Sequence, residues 1–308
     1  MNKNSDQDDK TASARPIRRV GVLGAGTMGH GIAQVAAAAG YEVVMRDVDD
    51  AAIERGMQSI VRNLTKGVQL GKVTEPERAE TIERIQATTN IAEIRDSDLV
   101  IEAAPENLEL KQNLLRETEA LIREDCIFAS NTSSLSITEI AKTSARAANV
   151  IGMHFFNPVH IMRLVEIVVG KQTSDETTAT VCEVAQRMKK EPIVVHDVPG
   201  FASSRLGVTL GLEAMRMVEQ GVASARDIDT AMELGYNHPV GPLKLTDIVG
   251  LDVRLSIAEY LHSALRSETF RPPEILRRMV GEGKLGKKTG EGFYKWNEPE
   301  HAQRAYTV

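Results

Sequence analysis

The chain has 308 residues, 42% of them hydrophobic and 26% charged, enough to support one large or two medium globular domains without metals or disulfides. A formal net charge of −6, with no basic block longer than a few residues, argues against a nucleic-acid partner, and no apolar stretch approaches the length of a membrane span. Residues 1–15 are polar, without the apolar centre of a signal peptide, and read as a disordered leader; the two cysteines, Cys126 and Cys182, lie in apolar runs and read as buried thiols, so a cytoplasmic protein is expected.

Beyond the leader, short apolar runs alternate with amphipathic stretches. Strands are predicted at Arg19–Leu23, Glu42–Arg46, Asp98–Glu102, Cys126–Ser130, Val150–Phe155, Leu164–Val169 and Pro192–His196. Between them, segments such as Leu108–Arg123 and Glu176–Lys190 carry apolar residues at three- and four-residue spacing and are predicted helices. Such alternation implies a mostly parallel sheet with helices on both faces. After Pro199-Gly200 the pattern changes: Phe201–Glu219, Ala225–Leu234, Pro242–Arg266 and Pro273–Gly281 all read as helices, and Gly286–Trp296 as an ordered tail or loop. The expected fold class is α/β, a Rossmann-type doubly wound domain over residues 16–198 followed by an all-α domain over residues 199–308.

The first βαβ unit carries a nucleotide signature. Gly24-Ala25-Gly26-Thr27-Met28-Gly29 matches G-x-G-x-x-G, follows an apolar strand and opens a helix of small residues that ends at Gly40. Gly24 suits the tight turn, Gly26 a close backbone approach to a pyrophosphate, and Gly29 tight packing of helix on strand. The free N–H groups of the helix start then face the phosphates. The second strand delivers Asp47, 23 residues after Gly24, where a carboxylate can accept hydrogen bonds from the adenosine ribose hydroxyls, as NAD requires. Arg46 could instead meet the 2′-phosphate of NADP. Successive strand residues point to opposite faces, however, so Arg46 and Asp47 are not both expected at the ribose, and NAD is favoured.

Eight further blocks occur in order. They are Ala129-Ser-Asn-Thr-Ser-Ser-Leu135, Gly152-Met-His-Phe-Phe-Asn-Pro158, Leu164-Val-Glu166, Pro199-Gly-Phe201, Asp227-Ile-Asp229, His238-Pro-Val-Gly-Pro242, Gly250-Leu-Asp252 and Gly286-Lys-Lys-Thr-Gly-Glu-Gly-Phe-Tyr294. From about Ile17 to Trp296 the chain resembles the L-3-hydroxyacyl-CoA dehydrogenase family, in particular its short-chain bacterial 3-hydroxybutyryl-CoA branch. The resemblance implies interconversion of an (S)-3-hydroxyacyl-CoA and a 3-oxoacyl-CoA with NAD, with no metal.

Oxidising a secondary alcohol needs a base for the hydroxyl proton, and a histidine is suited by its near-neutral reference pKa. His154 closes an apolar strand, where ligand crevices open in doubly wound folds. Glu166, a carboxylate amid Leu164, Val165 and Ile167, is costly unless paired, so it is the expected partner. The plain alternatives are a satisfied core histidine and a surface charge on an edge strand. By resemblance, Ser133 hydrogen-bonds the substrate oxygen and the histidine; it could instead cap a helix over Ile137–Thr143, a role open also to Ser134 or Ser136. Asn131, Glu106, Lys111 and Asn157 match family positions near the nicotinamide, with Asn157 near the substrate as well. Glu106 and Lys111 could equally form a solvated pair at a helix start.

Lys288 matches a cofactor contact from the tail, the alternative being a solvated lysine beside Lys287. Lys66 and Lys72 resemble the CoA-contacting region, the acyl-CoA being expected between the domains. Ser204 departs from the family pattern, standing where many members carry an active-site asparagine; a hydroxyl has shorter reach and one donor rather than two. The resemblance also implies a homodimer through the helical domain. Two other functions fit less well: a related two-domain hydroxyacid dehydrogenase, several of which use a lysine as base, and a catalytically silent crystallin-like protein.

Overall fold

The computed structural model describes residues 14–296, and the chain divides into two compact units after Val198. Residues 1–13 of the expected leader lie outside the described residues. Arg15, its last residue, is not disordered: its backbone N–H donates to Thr180, its guanidinium donates to the Asp125 carbonyl and to Thr177, and it pairs with Glu176.

The first unit is built on one eight-stranded sheet in the order β3-β2-β1-β4-β5-β6-β7-β8. Its strands are β1 (Arg19–Leu23), β2 (Glu42–Arg46), β3 (Ile85–Thr88), β4 (Leu99–Glu102), β5 (Ile127–Ser130), β6 (Val150–Phe155), β7 (Leu164–Val169) and β8 (Glu191–His196). The first six follow the 3-2-1-4-5-6 order of a dinucleotide-binding fold, in which the order reverses between β1 and β4. Side chains such as Val20, Val22, Leu99, Ile101, Ile127 and Ile151 are fully buried, as a sheet covered on both faces demands. Helices α1 (Gly29–Ala38), α2 (Asp50–Gln69), α3 (Glu75–Glu83), α4 (Leu108–Glu119), α5 (Ile137–Ala141) and α6 (Asp175–Arg187) connect the strands. Most begin on a side-chain cap: Asp49, Thr74, Asn107, Ser136 and Ser174 each accept from a backbone N–H of the first turn.

The sheet is mostly parallel as expected, and two of its features go beyond the sequence reading. The four residues of β3 were not predicted as a strand; at the sheet edge only Ile85 of them is buried, so no apolar run marks the segment. More consequentially, β7 runs antiparallel to β6, with His154 paired to Glu166 in register, while β8 is parallel to β7. The connection 156–163 is shorter than a parallel crossover requires, so the chain turns back on itself.

The second unit is helical: α7 (Ser203–Glu219), α8 (Ala225–Gly235), α9 (Pro242–Val249), α10 (Leu251–Leu265) and α11 (Glu274–Gly281). They enclose a core that includes Leu212, Met215, Leu243, Leu261, Leu276 and Phe293. The single helix predicted over Pro242–Arg266 is two, because Gly250 adopts φ +107° between them. Two buried carboxylates organise the rest. Asp229 of α8 accepts from the Leu243 and Lys244 N–H groups and so caps α9, and it also accepts from the Tyr294 hydroxyl at 2.7 Å. Asp247 of α9 accepts from the Phe293 and Tyr294 N–H groups and from Trp296 Nε1, each at 2.9 Å. The tail glycines make this approach possible: a Cβ on Gly286 or Gly292 would lie 2.3 Å from an Asp247 atom.

Candidate active site

The carboxyl ends of β1 and β4 lie side by side, with Leu23 opposite Glu102, and the glycine turn leaves the sheet at that switch point. Gly24 adopts φ +105°, and a Cβ there would lie 2.8 Å from the Ala103 carbonyl. At Gly29 a Cβ would stand 1.8 Å from the Gly24 carbonyl oxygen, so no side chain is tolerated where α1 starts. A Cβ on Gly26 would meet nothing within 4 Å; the turn is open on the side where a phosphate would approach. Thr27 is exposed and Met28 half-buried, and Met28 supplies no side-chain cap to α1. The donors of that helix start therefore suit an anion.

Asp47 lies at the rim of this turn. Its carboxylate accepts from the Ala25 and Val48 N–H groups, both at 2.6 Å. Arg46 turns elsewhere, its Nε donating to the Thr89 carbonyl at 3.3 Å. The alternation expected along β2 is what separates them.

His154 and Glu166 face each other across the antiparallel β6–β7 pair. The ring Nδ1–H donates to Glu166 Oε2 at 2.7 Å, and the side chains are 8% and 0% exposed. Glu166 is not on an edge strand, since β8 lies outside β7; the alternative reading as a surface charge falls. The His154 ring also packs on Phe156, with centroids 4.6 Å apart.

A second polar cluster occupies the ends of β4 and β5. Glu102, fully buried, accepts from Lys111 Nζ at 2.7 Å, Ser130 Oγ at 2.6 Å and the Ala104 N–H at 2.6 Å. Lys111 is 1% exposed, donates also to the Ala104 carbonyl, and stands 3.6 Å from Glu106. One oxygen of Glu106 accepts from Thr132 Oγ1, the Ser133 and Ser134 N–H groups and Ser134 Oγ. Burial works against the Glu106 charge, but the Thr132 hydrogen bond, the Lys111 ammonium and the Ser133 N–H outweigh it and hold the carboxyl below its usual range. Lys111 and Glu106 are thus not a solvated pair. Glu102, Ser130 and Thr132 escaped the sequence reading. The signal for Glu102 was present: a carboxylate closing the apolar run Leu99–Glu102 needs partners for the reason that Glu166 does.

Asn131 joins the two clusters. Its N–H donates to the Glu102 carbonyl and its Oδ1 accepts from the Phe155 N–H, beside His154. Ser133 is exposed and does not cap α5, a role that Ser136 fills. Asn157 is exposed at a cis peptide bond to Pro158. Lys66, in the last turn of α2, is exposed, as is Lys72. Lys72 borders a cavity of about 420 Å³ whose lining includes Arg163, Arg187, Lys189 and Lys190 but no Asp or Glu among the described residues.

In the helical unit, Ser204 is half-buried in the first turn of α7. Lys288 is exposed, and its Nζ pairs with Asp252 at 2.6 Å. Of the two thiols expected to be buried, Cys126 is, and burial pushes it up to about 12, whereas Cys182 is only partly covered. No group of ligating side chains suited to a metal ion occurs among the described residues, and none of their helices is long and apolar enough to cross a membrane.

Residues 19–198 match the family profile described as 3-hydroxyacyl-CoA dehydrogenase, NAD binding domain, and residues 200–296 match 3-hydroxyacyl-CoA dehydrogenase, C-terminal domain. The chain is 46% identical over 279 residues to the "Probable 3-hydroxybutyryl-CoA dehydrogenase" of Deinococcus radiodurans, covering 90% of this chain and 100% of that one. It is 42% identical over 280 residues to the 3-hydroxybutyryl-CoA dehydrogenase of Clostridioides difficile, covering 91% and 100%. The crystal structure of (S)-3-hydroxybutyryl-CoA dehydrogenase from Ralstonia eutropha superposes with a TM-score of 0.88 at 44% identity, covering 90% of this chain and 98% of that one.

Proposed function

The chain belongs to the 3-hydroxyacyl-CoA dehydrogenase family as an NAD-dependent enzyme, and on that premise we propose that it interconverts short (S)-3-hydroxyacyl-CoA and 3-oxoacyl-CoA, 3-hydroxybutyryl-CoA and acetoacetyl-CoA foremost, with His154 as the proton-transfer group. The observation that carries this reading is the buried 2.7 Å hydrogen bond from His154 Nδ1 to Glu166. It fixes the ring tautomer, orients the imidazole and stabilises the imidazolium that forms when Nε2 takes the 3-hydroxyl proton. Bound NAD supplies the hydride acceptor for oxidation and, as NADH, the donor for reduction. The turn from Gly24 through Thr27 and Met28 to Gly29 holds the pyrophosphate, and Asp47 accepts from the ribose hydroxyls, which excludes a 2′-phosphate. Ser133 donates to the substrate oxygen, on a loop held by Glu106. By resemblance, Asn131, Glu106, Lys111 and Asn157 are assigned to the nicotinamide end of the cofactor, Lys288 to a cofactor contact from the tail, and Ser204 to the substrate.

The cavity bordered by Lys72 supports an acyl-CoA, whose phosphates need basic groups; Lys66 is assigned to the acyl-CoA by resemblance alone, since it does not line that cavity. A homodimer through the helical unit is supported by apolar side chains left uncovered there, Leu206 at 72% and Leu234 at 83% exposure among them. Two unpaired thiols suit a reducing, cytoplasmic setting. The test of the reaction is loss of NADH absorbance on adding acetoacetyl-CoA. Turnover with NADH well above that with NADPH is expected; no turnover with either would overturn the proposal.

A further inference from the structure

We propose that Glu102 is a positioning residue for the reaction, acting on Ser133 through Lys111 and Glu106; the proposal rests on the reading of Ser133 given above. Glu102, Lys111 and Glu106 carry two negative charges and one positive, with Glu102 fully buried and Lys111 1% exposed. The single ammonium is divided between the carboxylates: Nζ is 2.7 Å from Glu102 Oε1 and 3.6 Å from Glu106 Oε2. A charge in low dielectric follows its strongest partner, so where Glu102 holds Lys111 determines the pull on Glu106. Glu106 in turn grips the loop after β5 through four hydrogen bonds to one oxygen, one of them from the Ser133 N–H at 3.0 Å.

Glu102 is itself pinned from two further sides. Ser130 Oγ donates to Oε2 at 2.6 Å from the register-paired position on β5, and the Ala104 N–H donates to Oε1 at 2.6 Å. The Glu102 backbone carbonyl accepts from the Asn131 N–H at 2.8 Å. Residue 102 is therefore bonded to the start of the loop at Asn131 and linked through Lys111 to the carboxylate that accepts from the Ser133 N–H. Glu102 has no direct part in the proton transfer; its effect is on where the Ser133 hydroxyl stands.

A purely structural carboxylate would affect turnover whether or not that hydroxyl exists. A double-mutant cycle separates the two. Glu102→Gln keeps the shape and the acceptor for Ala104 but removes the charge that holds Lys111. In the otherwise unaltered enzyme it should lower kcat by ~10–100-fold, the scale of a hydrogen bond to a charged group. In the Ser133→Ala background the same change should lower kcat less than threefold, by rough additivity limits. Equal losses in both backgrounds would overturn the proposal, as would an unchanged kcat in Glu102→Gln alone. If Ser133→Ala by itself leaves kcat untouched, the role of Ser133 fails, and with it this proposal, whereas His154 is untouched by that result. Should Glu102→Gln not fold, Ser130→Ala keeps both charges and removes one donor from Glu102. Its loss of kcat should likewise disappear in the Ser133→Ala background, and persistence of the full loss there would contradict the coupling.

Discussion

Asp47 is the side chain proposed to decide between cofactors. Its carboxylate sits on the glycine turn, 2.6 Å from the Ala25 N–H, whereas Arg46 is directed to the Thr89 carbonyl. Replacing Asp47 by Ala removes the acceptor for the ribose hydroxyls and the repulsion toward a 2′-phosphate together. NADH should bind ~10–100-fold more weakly, and the ratio of NADH to NADPH affinity should fall at least as far. Fluorescence titration with both nucleotides checks this. Equal losses for the two would mean that Asp47 only supports the turn. At this scale the sequence was readable wherever a residue type has few uses: glycines at fixed spacing, a carboxylate after the second strand, a histidine and a glutamate in apolar runs. It was less readable where function rests on who pairs with whom. Lys111 and Glu106 match cofactor positions but could equally be read as a solvated pair, and only the fold brings Glu102 to the same ammonium.

Between elements, the antiparallel return of β7 matters most. It sets His154 and Glu166 opposite each other in register, which a parallel neighbour joined by a long crossover would not ensure. The sequence expectation did not assign this return, although the 156–163 connection is too short for a parallel crossover, and nothing in Ile85–Thr88 announced an edge strand. In the helical unit the tail is held to α9 by Asp247. Burial pushes this carboxyl from 3.8 to about 6, against the hydrogen bonds from Trp296, Phe293 and Tyr294. The folded chain therefore keeps a proton that the unfolded chain gives up. The stabilisation from that proton is present at low pH and is lost as pH rises from about 4 through about 6, a swing of roughly 3 kcal/mol at about 1.4 kcal/mol per unit. Asp247→Asn cannot titrate, so the Tm of the original chain minus that of the variant should fall across this window and stay level above it. A pH-independent difference would contradict the account.

For the whole molecule, the division after Val198 coincides with the change from alternating strands and helices to helices alone. That change of period is a property of the sequence, and the Pro199-Gly200 step marks it. Assembly is less legible, because exposed apolar side chains do not say what covers them. Leu206, Leu234 and Tyr236 in the helical unit are each more than two-thirds exposed, and light scattering of the purified chain should give twice the mass of one chain. A monomer at micromolar concentration would refute the dimer.

In the proposed reaction the His154–Glu166 pair transfers the proton of the 3-hydroxyl while the glycine turn holds NAD. This role is tested most directly by steady-state reduction of acetoacetyl-CoA by His154→Gln, with NADH affinity measured on the same preparation. The variant should show kcat lower by ~10²–10⁴-fold with NADH bound almost as before. Turnover equal to that of the unaltered enzyme would contradict it.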